Sequence, residues 1–180
     1  MRTDNAGVAG GLLARGFDPN SVDESGQPAL TRALRDGALN ICAALLEHPA
    51  LQVDQANLAG ETPLMMAALK GHAALATRLL ARGASVNRAG WSPLHYAATG
   101  SAPAIVKQLI EHGAALDARS PNGTTPLMMA AQYGAEDSVR LLLAAKADPA
   151  LRNDLGLKAA DFARRAGREK LAAALGALQR

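Results

Sequence analysis

The sequence predicts an all-α fold, a solenoid of stacked helix-turn-helix repeats, and three observations support this prediction. The stretch Thr62–Ala68, TPLMMAA, recurs at residues 125–131, and residues 92–98 carry the variant SPLHYAA. The prolines of these copies, at positions 63, 93 and 126, are 30 and 33 residues apart, a period typical of stacked repeat proteins. Hydrophobic residues make up 49% of the chain and aromatic residues only 3%, so we expect a core of Ala and Leu between closely packed helices.

A 33-residue period with the motif T-P-L-H-x-A is the signature of ankyrin repeats. On its three motif copies the chain resembles the ankyrin-repeat family, and the resemblance covers nearly the whole sequence. It implies that β-hairpin or finger loops join the helix pairs. It also implies that the fingers and the first helix of each repeat form a concave surface that binds other proteins.

Residues 1–22 are predicted to form half a repeat. The segment LLARG at Leu12–Gly16 matches Leu79–Gly83, where a second helix ends, but no first-helix motif precedes it. Gly7, Gly10 and Gly11 each weaken a helix by roughly 1 kcal/mol relative to Ala, so we expect this end to fray. A natural cap and a loss of residues before Met1 both fit the half repeat, and in the second case a signal peptide could precede Met1.

Four full repeats and a C-terminal cap follow, and with the half repeat they make a single predicted domain, 1–180. The predicted boundaries are 23–56, 57–89, 90–119, 120–152 and 153–180. The first repeat has a degraded motif, GQPALTRA, and a second helix predicted at Leu39–Glu47. In the second repeat Thr62 can cap the first helix, Pro63 suits its first position, and Gly71 can end it in a left-handed conformation.

The later repeats depart from the pattern in three places. Only Arg88 and Ala89 separate Asn87 from Gly90, three residues fewer than the family spacing, which predicts a shortened finger in the third repeat. In the fourth repeat Lys146 stands where Gly is expected, which predicts a positive φ at a lysine. The charges of the last repeat fit the solvated face of a terminal cap, and a basic docking site is the alternative.

Several side chains of the motif are predicted to be structural. Only Ser92 and His95 can form the family's side-chain hydrogen bond between the first and fourth motif residues. Cys42 is predicted to lie in the core. The methionines of the motif copies are predicted to fill the core between repeats, with an adaptable binding surface as the alternative: Met65, Met66, Met128 and Met129.

The predicted function is a non-catalytic protein–protein interaction module that binds another protein and needs no cofactor or metal. The candidate contact residues are those that the repeat pattern does not require. Trp and Tyr are enriched at the energetic centres of interfaces, although Trp91 packing on a neighbouring finger is the alternative for that residue. The candidates are Trp91, Tyr133, Leu58, Glu61, Leu69, Lys70, Thr99, Asn122, Thr124 and Gln132.

Composition and motifs argue against other classes of protein. The 19 basic residues are scattered and only just outnumber the 16 acidic ones, so we expect no nucleic-acid partner. No apolar run approaches the ~20 residues of a membrane span, and no zinc spacing, phosphate loop or nucleophile elbow indicates an enzyme. We expect a cytoplasmic monomer. A periplasmic or secreted protein with a stress-protection role, as in some bacterial ankyrin proteins, is the alternative if a signal peptide precedes Met1.

Overall fold

The computed structural model describes residues 4–178, which form eleven α-helices and no β-strand. The helices are α1 (Ala6–Ala14), α2 (Ala29–Asp36), α3 (Leu39–Glu47), α4 (Pro63–Lys70), α5 (Ala73–Ala81), α6 (Pro93–Thr99), α7 (Pro103–Glu111), α8 (Pro126–Gln132), α9 (Glu136–Ala144), α10 (Ala159–Arg165) and α11 (Glu169–Ala177). The all-α prediction is therefore confirmed. None of the helices between residues 4 and 178 has the length and apolar character needed to cross a membrane.

The chain forms two compact units, Met1–Ser85 and Val86–Arg180. In the first unit, α2 packs on α4, while α1 packs on α3 and α3 on α5. In the second unit, α6 packs on α8 and α8 on α10, while α7 packs on α9. First helices therefore stack on first helices and second helices on second helices within each unit, as a repeat architecture requires.

The core is built from the matching positions of successive repeats. Leu64, Leu94 and Leu127, which are equivalent in the three motif copies, each have 0% of their surface exposed. Met65, Met66 and Met128 are also buried, so the prediction that the methionines fill the core is confirmed for these three, whereas Met129 is half-buried.

The first helices begin with the predicted caps. The hydroxyl of Thr62 accepts the backbone N–H of Met65 at 3.4 Å, and Thr125 does the same for Met128. The Met65 sulfur in turn accepts the N–H of Thr62 at 3.4 Å. The methionine sulfur thus accepts the hydrogen bond that the histidine of the family motif would accept. Both side chains place an acceptor atom next to the backbone N–H of the cap residue.

Helix ends follow local chemistry as well. Gly71 ends α4 with φ 75° in the left-handed region, as predicted. Lys146 has φ 80° and is the one non-glycine residue with positive φ between residues 4 and 178. This confirms the sequence-based expectation, and the lysine carries the steric cost of its Cβ in that conformation.

Lys146→Gly is therefore expected to raise the free energy of unfolding by roughly 0.5–1 kcal/mol, because glycine adopts this backbone conformation without the steric cost. Urea denaturation measured by far-UV circular dichroism would show a higher midpoint. The matched control is Lys107→Gly within α7, where the lysine is likewise exposed and glycine should lower stability by about 1 kcal/mol. A midpoint that is unchanged or lower in Lys146→Gly would contradict the prediction.

Candidate functional site

The fingers that precede the first helices are tight turns built on one plan. The first residue of each finger donates its N–H to the carbonyl four residues later at 3.0 Å, and a glycine of positive φ donates to the carbonyl of the first residue. Asn57 shows the pattern fully, since its side-chain oxygen also accepts the N–H groups of Ala59 and Glu61 at 3.0 and 2.9 Å. Four fingers follow this plan, beginning at Asp23, Asn57, Ser120 and Asn153.

The third finger lacks this turn, and Asn87 instead contacts the loop that follows α7. Its side-chain oxygen accepts the N–H of Ala115 at 2.8 Å, and its amide nitrogen donates to the carbonyl of Gly113 at 2.9 Å. Asp54 and Asp117 make the equivalent contact by accepting the N–H groups of Ser85 and Asp148, each at 3.0 Å. Thr62 follows Asp54 by eight residues, and Thr125 follows Asp117 by eight. Ser92 follows Asn87 by only five, so three residues needed for a full finger are missing.

These Asn and Asp side chains form a ladder that the sequence analysis missed. Each joins the loop after one repeat to the loop after the next, and Asn20 begins the series by accepting the N–H of Gln52 at 2.7 Å. Their spacing of roughly one repeat was the signal that could have revealed them.

His95 connects the third first helix to the fourth finger. Its Nδ1 accepts the backbone N–H of Ser92 at 3.1 Å and lies 2.8 Å from the Ser92 hydroxyl. Its Nε2 lies 2.9 Å from the carbonyl oxygen of Thr124, to which it must donate, so the ring is neutral with its proton on Nε2. The predicted Ser92–His95 hydrogen bond is present.

Burial lowers the pKa of His95 from its ordinary value of 6.5. The unfolded chain therefore binds a proton on His95 at a higher pH than the folded chain does, and acid favours unfolding. Because of His95, we expect the free energy of unfolding to decrease by up to about 1.4 kcal/mol per pH unit as the pH falls below 6.5.

Chemical denaturation of the wild type and of His95→Met between pH 7.5 and 5 would test this. Methionine is the matched control because it occupies this place in the second and fourth repeats. The difference in unfolding free energy between the two proteins should shift in favour of His95→Met as the pH falls. A pH-independent difference would show that the folded state does not resist protonation of His95.

Trp91 lies half-buried beside this histidine. Its ring meets the His95 ring edge to face, with centroids 5.3 Å apart and an angle of 77°. The preceding residue, Gly90, lies against Pro121 of the fourth finger, since a Cβ at Gly90 would be 3.7 Å from the proline ring. Trp91 therefore has a packing role and is also partly exposed.

The other candidates in the second unit differ in exposure. Tyr133 ends α8 with 60% of its surface exposed, and Asn122 is exposed in the fourth finger. Gln132 and Thr99 are half-buried, and the Thr99 hydroxyl donates to the carbonyl of His95 at 2.9 Å. Thr124 is 2% exposed, so we leave it out of the proposed contact surface.

The candidates in the first unit lie on its second finger and on α4. Leu58 is 87% exposed at the tip of the finger, and Lys70 is exposed at the end of α4. Leu69 and Glu61 are half-buried, and Glu61 accepts the amide of Asn57 at 2.8 Å. Leu58 and Lys70 are therefore the accessible candidates of this unit.

Metal-binding clusters and reactive side chains were also sought among the described residues. Between residues 4 and 178 no cluster of three or more His, Cys, Asp or Glu side chains could hold a metal ion. Cys42 has 0% of its surface exposed, and burial raises the pKa of its thiol to about 12. A thiol in this state is a poor nucleophile, because the thiolate is the reactive form.

Comparison with known proteins gives one finding. The family model described as ankyrin repeats (3 copies) matches residues 4–89 and 86–153 of the chain. No curated protein matches the chain.

Proposed function

Because the chain belongs to the ankyrin-repeat family, we propose that it is a non-catalytic module that binds another protein through its fingers and first helices. Ankyrin repeats are generally protein–protein interaction modules. The surface that we propose for the second unit consists of Tyr133 with Trp91, Asn122, Gln132 and Thr99. In the first unit we propose a contact surface of Leu58 and Lys70 flanked by Leu69 and Glu61.

The exposure of Tyr133 is the observation that carries this proposal. Lys70 and Ala166 occupy the matching places in the second and last repeats and are likewise exposed, so the fold does not need an aromatic residue there. Tyrosine buries a large area at low entropic cost when a partner covers it, which is why it is common among the residues that dominate binding energy.

Quantitative affinity capture with the full-length chain tests the proposal. We expect Tyr133→Ala to weaken retention of its partner about tenfold, which corresponds to about 1.4 kcal/mol. Trp91→Ala should weaken it too, once thermal unfolding has shown that the variant remains folded. The matched control is Arg140→Ala, since this arginine is exposed on the second helix α9, away from the fingers and first helices.

Partners recovered with the wild type and Arg140→Ala but reduced with Tyr133→Ala would be purified and their dissociation constants measured. Equal retention by all four proteins would show that the finger and first-helix surface of the second unit is not the binding site. The same measurement with Leu58→Ala and Lys70→Ala addresses the first unit separately.

A further inference from the structure

A groove with a volume of about 620 Å³ runs along α2 in the first unit. Its apolar lining comes from the loop before α2, from α2 itself and from the start of α3. The apolar lining residues are Val22, Ala29, Ala33, Ala38 and Ile41. Val22 is 56% exposed, and Ala29, Ala38 and Ile41 are half-buried, so apolar surface that could be covered remains accessible.

The position of the groove follows from the repeat architecture. One side of α2 packs on α4, whereas α1, the only helix before α2 in the described residues, packs on α3 as a second helix does. In the second unit, by comparison, α8 packs on first helices from both neighbouring repeats, α6 and α10. The groove is thus where a first helix would continue the stack beyond α2.

The floor of the groove suits a close helix contact. Ala33 lines it and is equivalent to Ala130 of α8, which is fully buried in the second unit. Around Ala130 two first helices approach so closely that a methyl group on Gly134 would collide with backbone atoms of both α6 and α8. A small residue at Ala33 leaves room for the same approach by another helix.

The charges around the groove favour an occupant that carries positive charge. Three carboxylates line it, Asp4, Asp23 and Asp36, against a single cation, Arg32, which pairs with both Asp23 and Asp36. The Asp4 carboxylate accepts the N–H groups of Asn40 and Ile41 at the start of α3. The difference, 3 − 1, leaves a net charge of −2 on the lining. Asp36 is the last residue of α2, so the carboxyl end of a helix lying parallel to α2 would come close to it. A Lys or Arg in that last turn is favoured by the carboxylate and by the helix dipole.

We propose that this groove binds a short amphipathic helix of a partner protein, parallel to α2, with Ala and Leu on its buried face and Lys or Arg in its last turn. The helix continues the stack that α4 and α2 begin. The groove shares no residue with the two contact surfaces proposed above, so each proposal can fail without the other.

The residue before α3 provides a gain-of-binding test. In two other repeats the matching residue reaches the last carbonyls of the preceding first helix: the His72 Nε2 lies 3.1 Å from the carbonyl oxygen of Leu34, and Arg168 Nη1 donates to three carbonyls at the end of α8. Ala38 holds this place beside the groove and has no side-chain donor. Ala38→Arg should therefore strengthen binding about threefold or more by capping the docked helix.

The probe is a synthetic peptide, acetylated and amidated, with the sequence of residues 60–71, GETPLMMAALKG, which has a small apolar face and a lysine as its penultimate residue. It is titrated into the isotope-labelled full chain and followed by NMR. We expect saturable shift changes at Ala33, Ala38 and Ile41. The variant Ala29→Trp, which fills the groove, should abolish them, while Ala74→Trp on the exposed face of α5 should leave them unchanged.

The charge preference is tested by a swap. Asp36→Lys should weaken binding about threefold, and a peptide with its lysine replaced by glutamate should restore part of the loss on that variant. Absence of saturable shifts up to millimolar peptide, or equal binding by the wild type and Ala29→Trp, would overturn the proposal. Dimerisation of the peptide-free protein that Ala29→Trp abolishes would also overturn it, because a second copy would then be the occupant.

Discussion

Gly134→Ala is expected to lower the free energy of unfolding by about 3 kcal/mol, the upper part of the range for overpacked positions. A Cβ at residue 134 would lie 2.9 Å from the Cα and 3.1 Å from the carbonyl oxygen of Ala130, and closer still to the carbonyl oxygen of Ala98. All three are backbone atoms of α8 and α6, so they cannot move aside as the end of a side chain can. The helices would have to separate.

Urea denaturation followed by circular dichroism measures this effect. The matched control is Gly176→Ala in α11, where the added methyl group meets nothing within 4 Å. There alanine should stabilise the protein by roughly 0.5–1 kcal/mol, because glycine is a poor helix former. If both variants moved the midpoint in the same direction, the close approach of α6 and α8 at Gly134 would be wrong.

Arg168→Met is expected to destabilise the protein by about 2 kcal/mol, within the range for hydrogen bonds made by charged groups. The Nη1 atom of Arg168 donates to the carbonyls of Ala130, Ala131 and Gly134 at 3.0, 3.1 and 2.9 Å. These carbonyls lie at the end of α8, where the helical hydrogen-bond pattern ends. The carbonyl of Ala130 also accepts the N–H of Gly134 at 3.0 Å. Methionine keeps the apolar stem of the side chain and removes only the donor.

Arg140→Met is the control for the charge itself. Arg140 is exposed and pairs with Asp137 one turn earlier in α9, a contact that is worth well under 1 kcal/mol. Thermal and urea unfolding should therefore separate the two variants clearly. Equal losses of stability would mean that the contacts of Arg168 with α8 contribute no more than a surface ion pair.

The sequence predicted local features well. The second helix at Leu39–Glu47, the positive φ of Lys146 and the Ser92–His95 hydrogen bond were all read from the order of neighbouring residues. Each depends on atoms within one helix or turn, so the motif and its cap chemistry contain the required information.

Contacts between repeats were predicted less well. Thr124 was selected as a surface residue because it stands at a finger position, but it is buried and its carbonyl accepts the His95 proton from the preceding repeat. The Asn and Asp ladder was not predicted for the same reason, since each side chain forms a hydrogen bond with a backbone group about 30 residues away.

By itself, the sequence determined that this chain is a stack of helical repeats, where α3 lies, where α4 begins and ends, and that Cys42 and most of the motif methionines fill the core. Periodicity and helix caps are properties of neighbouring residues, so they can be read without coordinates. Only the tertiary structure decided that Gly134 must lack a side chain, that Arg168 caps α8, and that a groove lies open beside α2. These features arise where separate repeats meet, and the distances between their atoms depend on how the helices pack.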